Sequence, residues 1–136
     1  MLAIVDAGPL YASVDGDDVN HERSVEVLQR TDLELVVPAL VVTEVCYMIG
    51  ERLGARIEAE FLRGLSELET ETPTGSDWSS MADLVVKYAD FPLGGVDASV
   101  AVLADRLGTD VIITLDQRHF RTLRTPSGGA YRLLPE

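Results

Sequence analysis

Short apolar runs alternate with amphipathic stretches along this chain. Met1 to Val5 is apolar and is halted by Asp6, Gly8 and Pro9, the pattern of a buried strand. Residues 9–14 have room for one helical turn. The polar stretch GDDVNHE (16–22) precedes SVEVLQR, where Val25 and Leu28 stand three apart, and predicts a helix over about 20–30. Leu33 to Val37 reads as a second strand. Pro38 suits the first position of a helix, where its missing N–H costs nothing, and that helix should reach Leu53, with Gly54 near its C-cap. Ala55 to Leu65 is a further amphipathic helix with Ile57, Phe61, Leu62 and Leu65 on one side, followed by a brief strand at Leu68 to Thr70. TPTGSDW is a turn from which Ser76 or Asp77 would cap a helix to about Tyr88. After the break DFPLGG, Val96 to Leu107 is helical and ends at Gly108. Val111 to Leu115 is a third buried strand, PSGG (126–129) a turn, and Tyr131 to Leu134 closes the sheet. With no internal repeat or linker, residues 1–136 are expected to form one domain. Strands alternating with helices predict an α/β fold whose mostly parallel sheet is covered on both faces.

Composition adds bounds to that pattern. A chain of 14.8 kDa should expose about 7,000 Å² when folded against about 21,500 Å² unfolded, so a real core is possible without staples. The 46% hydrophobic content excludes a disordered chain, and the single Cys46 excludes an internal disulfide framework. The longest mostly apolar stretch, Val36 to Ile49, is interrupted by Pro38, Thr43 and Glu44 and falls short of the roughly 20 residues a bilayer needs. MLAIVDAG has no basic region and carries an acid at position 6, unlike a signal peptide, so a cytoplasmic location is expected. Carboxylates outnumber Lys plus Arg by 23 to 11, giving a net charge of −12. Taken alone, that charge argues against a nucleic-acid partner, since phosphate binding rests largely on basic residues.

Four of the acids sit in apolar surroundings. Asp6 follows LAIV, Glu44 lies inside PALVVTEVCYMI, Asp97 lies between PLGGV and ASVAVLA, and Asp116 follows VIITL. On a helix the neighbours of Glu44 are Leu40, Val41, Tyr47 and Met48, a costly place for a carboxylate unless it is paired, protonated or metal-bound. No Lys or Arg lies between Arg30 and Arg52 to pair with it locally. Asp6 and Asp116 occupy carboxyl ends of expected parallel strands, where open α/β sheets place ligands. Each could equally be a turn or cap aspartate, as could Asp97 at the start of its helix. Together they change the picture. Four converging carboxylates must either keep a proton or share a divalent cation. An all-oxygen donor set suits Mg²⁺ or Mn²⁺ and the hydrolysis of phosphodiesters.

The segments IVDAGPLYA, PALVVTEVCYMI, YADFPLGGVDASVAVLADRLG and IITLDQRHF resemble, in order and spacing, the PIN-domain nucleases, specifically the VapC-type toxins of bacterial toxin–antitoxin pairs. The resemblance spans nearly the whole chain. It implies a three-layer α/β/α PIN-like fold and a Mg²⁺- or Mn²⁺-dependent endoribonuclease acting on structured RNA. It also implies a homodimer and a cognate VapB-type antitoxin whose C-terminal segment occludes the active site. By it, Asp6, Glu44, Asp97 and Asp116 fall on the family's acidic quartet and Thr114 on its hydroxyl position. Asp6 and Asp97 are then the firmest metal ligands, with Asp116 sharing the ion or its water shell. Glu44 orients or deprotonates the attacking water, its apolar helix raising its pKa. One departure is Ala7-Gly8, where many relatives carry Ser, Thr or Asn within two residues of the first Asp.

Other residues stay open at this level. Thr114 reads equally as an ordinary strand threonine, Asp90 as a turn residue, and His119 as a helix-packing or RNA-contact residue. Residues 117–135 hold Arg118, Arg121, Arg124 and Arg132 with no acid among them. They are either dispersed surface charge, a phosphate-contacting rim, or a dock for acidic antitoxin residues. A catalytically inert PIN module that binds RNA or protein is the rival reading. A phosphoryl-accepting receiver domain would want a strand-end lysine, and the sole lysine, Lys87, falls inside an expected helix.

Overall fold

The short apolar runs LAIV, ELVV and VII form strands that the helical segments between them cover. A computed structural model describes residues 1–136. Its strands β1 (Leu2–Val5), β2 (Glu34–Pro38), β3 (Glu69–Glu71), β4 (Val111–Ile113) and β5 (Arg132–Leu134) form one sheet in the order β3-β2-β1-β4-β5. Every pairing is parallel. The connections are α1 (Ala7–Val14), α2 (His21–Leu28), α3 (Ala39–Arg52), α4 (Ala55–Gly64), α5 (Gly75–Lys87), α6 (Gly95–Leu107) and α7 (Gln117–Thr122), with a 3-10 turn at Leu65–Glu67. No helix is long and apolar enough to cross a membrane.

The strand order fixes where a site can form. From β1 the chain steps outward through β2 to β3, then crosses back to β4 on the other side of β1. Right-handed crossovers place α1 to α4 on one face and α5 to α7 on the other. Against the second face α6 lies directly on β1, β2 and β4, and α5 packs outside α6. The reversal between β1 and β4 opens a crevice at their carboxyl ends, the usual ligand position in such sheets.

Ala3, Ile4, Val5, Val37, Ile112 and Ile113 are fully buried, as strands covered on both faces must be. Every residue of α6 from Ala98 to Ala104 is buried as well. The folded surface is 7369 Å², close to the size-based expectation.

Several local expectations are corrected. Pro38 closes β2 and caps α3 from outside instead of taking the first helical position, because its ψ of 139° is still extended. Gly54 does follow the C-cap Leu53, as expected, and its φ of 91° turns the chain into α4. Thr74, not Ser76 or Asp77, caps α5, and Asp77 completes a capping box while also receiving Arg106 from α6 at 2.8 Å. Leu62 is turned to solvent. The third strand stops at Ile113, and a two-turn α1 begins at Ala7. The short helix α7 was not foreseen, since QRHFRT has no helical apolar period and buries only Phe120.

Phe120 is fully buried and anchors α7, so Phe120→Ala should cost about 3–5 kcal/mol in denaturant unfolding. A loss below about 1 kcal/mol would mean that α7 is not packed as described.

Candidate active site

The site begins where β1 ends. The backbone N–H of Asp6 donates to the Ile113 carbonyl at 2.9 Å, locking the ends of β1 and β4 together. Asp6 occupies the N-cap position of α1, yet its side chain does not cap that helix. Its carboxylate, 5% exposed, accepts instead from the fully buried Thr114 hydroxyl at 2.8 Å. The same hydroxyl oxygen accepts the backbone N–H of Asp116 at 2.9 Å. Thr114 is therefore not an ordinary strand threonine. It joins the first and last acids of the set.

Asp116 caps α7, accepting the His119 N–H at 3.4 Å, and its carboxylate stands open to solvent. Asp97 projects from the first turn of α6, where the positive helix end favours its charge. Glu44 arrives from α3 on the other side. All four acids line one cleft of about 450 Å³, together with Gly8, Met48 and Leu115.

Glu44 differs from expectation in its surroundings. The buried stripe of α3 is Val41, Val45 and Ile49, whereas Glu44 is exposed, with Tyr47 beside it at 70% exposure. The apolar neighbours of Glu44 suggested a costly buried carboxylate; one stripe is enough to hold the helix to the core, so Glu44 can face the cleft.

The departure at Ala7-Gly8 also acquires a structural reason. A Cβ on Gly8 would meet the Leu115 side chain at 3.2 Å. Leu115 thus fills the space that a side chain at position 8 would use, and the cleft loses a polar group there.

His119 is the residue that sequence reasoning left outside the site. Its Nδ1 hydrogen-bonds Asp116 Oδ2 and lies 3.5 Å from Asp97 Oδ2. Atoms of Asp97, Asp116 and His119 that can bind metal all lie within 4.8 Å of one another. An imidazole thus stands with two of the expected carboxylates in this cluster, and Asp6 is not one of its three members. The only signal was the spacing of His119 from Asp116, which becomes meaningful once α7 is known to be a helix starting at Gln117.

Burial, with like charges added, shifts the carboxyls of this cleft upward. Burial, then the charge of Asp6, raises Asp97 from 3.8 to about 6, against a lowering pull from His119. Burial also raises Asp6, partly offset by the Thr114 hydrogen bond. Desolvation and then Asp6 raise Glu44.

Other expected participants stand apart. Asp90 is exposed in the turn after α5. Arg132 pairs beside Val111, at the opposite end of the sheet, so it belongs to no rim of this cleft.

Known proteins resemble this chain over most of its length. The profile of the PIN domain matches residues 3–124. The chain belongs to the PIN domain family. Ribonuclease VapC26 of Mycobacterium tuberculosis is 35% identical over 134 residues, covering 97% of this chain and 99% of the relative. The fold is shared with VapC20 of M. tuberculosis, a sarcin–ricin loop cleaving toxin, at a TM-score of 0.74 and 16% identity over 81% of this chain and 86% of that one. VapBC2 from Rickettsia felis, solved bound to a promoter DNA fragment, aligns at 0.70 and 13% identity over 98% of both chains. These PIN structures share the three-layer arrangement of a parallel sheet between helices.

A raised carboxyl makes a stability prediction. Asp97 binds its proton more tightly folded than unfolded, so stability falls as pH rises from 3.8 toward about 6 and stays at the lower level above it. Without divalent cations, Asp97→Asn should therefore melt several degrees above wild type near neutral pH and lose that advantage at about pH 4. Equal melting temperatures at neutral pH would contradict the crowding described.

Proposed function

We propose that this PIN domain, the whole of residues 1–136, is an endoribonuclease toxin that hydrolyses phosphodiester bonds in structured RNA with Mg²⁺ or Mn²⁺. Within the same reading it is neutralised by a cognate VapB-type antitoxin and pairs as a homodimer. The observation that carries the proposal is the convergence of Asp6, Glu44, Asp97 and Asp116 on one cleft at the β1/β4 crevice. The PIN family membership and a 35% identical ribonuclease support it.

The donors fit a hard divalent cation. Asp6 and Asp97 are buried enough for their mutual charge to matter, and Asp116 adds a carboxylate from the open side. Carboxylates with at most one imidazole suit Mg²⁺ or Mn²⁺, and lack the thiolates or several histidines typical of zinc. These three aspartates would hold the ion, which supplies charge opposite the phosphate oxygens and acidifies a bound water.

The protein's own groups do the rest. A Glu44 carboxylate oxygen at the cleft wall orients the attacking water and accepts its proton, since its raised pKa makes it a better base than an ordinary glutamate. Thr114 aims Asp6 by donating to its Oδ2 and offsets part of the burial that favours the protonated form. His119 fixes the Asp116 carboxylate and shields it from Asp97.

RNA cleavage by the antitoxin-free protein tests this reading. EDTA should abolish the activity and Mn²⁺ restore it. Asp97→Asn should lower kcat by at least about a hundredfold, as expected for losing an electrostatic partner of the transition state. Cleavage that persists in EDTA and survives the substitution would sink the mechanism. Failure of the wild type both to cut RNA and to bind Mn²⁺ would favour the inert module instead.

A further inference from the structure

Eleven basic residues face 23 acidic ones in this chain, so an arginine fixed in place beside an acid of the cleft is informative. Arg118 is exposed in the first turn of α7, between Asp116 and His119. It takes part in none of the ion pairs. Its guanidinium lies over the ring of Phe91, with Cζ 5.5 Å from the centroid. The same ring meets His119 edge-on at 5.1 Å and 89°. Phe91 comes from the turn that leads into α6 and Asp97, so one aromatic ring ties that turn to both residues of α7.

The other arginines of this region are engaged or remote. Arg121 donates to Gln117 Oε1 at 2.9 Å, and Arg124 to the carbonyls of Arg121 and Leu123 at 2.6 and 2.9 Å. Arg132 sits at the far end of the sheet beside the Met1 sulfur. Stacking on a ring holds a guanidinium in place without consuming its N–H donors. The fork of Arg118 thus remains available, and a phosphate's paired oxygens match it.

We propose that Arg118, held on Phe91, binds a backbone phosphate of the RNA flanking the one that is cut, and so positions the strand across the acidic cleft. This rests on the ribonuclease reading above. Arg118 and Phe91 are positioning residues, acting on substrate binding and not on the bond-breaking step. A chain of net charge −12 then holds a polyanion through one fixed cation at the rim instead of a basic surface.

The test compares Arg118→Ala with Arg132→Ala, the same charge change at the opposite end of the sheet. Arg118→Ala should raise KM for a cleavable RNA about tenfold with kcat within about twofold, the signature of lost uniform binding. Arg118→Lys should recover part of the loss, because it restores the charge without the fork. Phe91→Leu should shift KM in the same direction by a smaller factor. In an Asp97→Asn background, affinity for a fluorescent oligouridylate should show a salt slope shallower by about 0.7 when Arg118 is removed, the value for one single-strand phosphate contact. An Arg118→Ala variant that matches Arg132→Ala in KM and salt slope, or that lowers kcat alone, would overturn the proposal. So would an effect confined to antitoxin affinity. Oligouridylate binding that depends on Arg118 in a protein that cuts no RNA would instead uphold the phosphate contact and remove the ribonuclease reading.

Discussion

Two carboxylates held 4 Å apart repel by about 4 kcal/mol at an effective dielectric near 20, and this fold gathers four around a single cleft. The arrangement of the whole upper edge answers that repulsion. β1 and β4 lie side by side and parallel, so the residues that leave them, Asp6 and Asp116, emerge at the same edge. The Thr114 hydroxyl takes up part of the charge on Asp6, the positive end of α6 lies under Asp97, and His119 stands between Asp97 and Asp116. Burial first, and neighbouring charge after it, still holds the carboxyls of Asp6, Asp97 and Glu44 above their ordinary range. A fold that carries such crowding at one edge trades stability for a place where a cation is strongly favoured.

Much of this was legible in the residue pattern, for physical reasons. A strand buried on both faces is a continuous apolar run, so LAIV, ELVV and VII announce themselves, and an acid directly after such a run has little choice but the sheet's carboxyl edge. What was not legible depended on the third dimension. The apolar richness of α3 concealed that a single stripe, Val41, Val45 and Ile49, does the packing, leaving Glu44 open to the cleft. The six residues of α7 carry too few apolar positions to show a period, so the contact of His119 with Asp97 could not be anticipated. Which arginine lies near the cleft was equally hidden, because β5 returns Arg132 to the opposite end of the sheet.

The net charge of −12 acquires a different meaning once its distribution is known. Four of the acids form the cleft, and most of the others are exposed on helices, turns and strand ends. Bulk charge predicts weak and salt-sensitive attraction for RNA. Recognition then falls to shape and to local contacts, which is how structured RNA is usually read. The substitution of Leu115 for a polar group beside Gly8 fits the same economy, since it makes one wall of the cleft apolar and leaves the carboxylates as its main polar feature.

The central claim is that these carboxylates exist to hold a divalent cation. Crystals soaked in Mn²⁺ and measured at the manganese absorption edge test it most directly. The account predicts an anomalous peak within coordination distance of carboxylate oxygens of Asp6 and Asp97, with Asp116 as a direct or water-bridged partner. A cleft without a peak in crystals that bind Mn²⁺ elsewhere, or a peak that avoids Asp6 and Asp97, would contradict it.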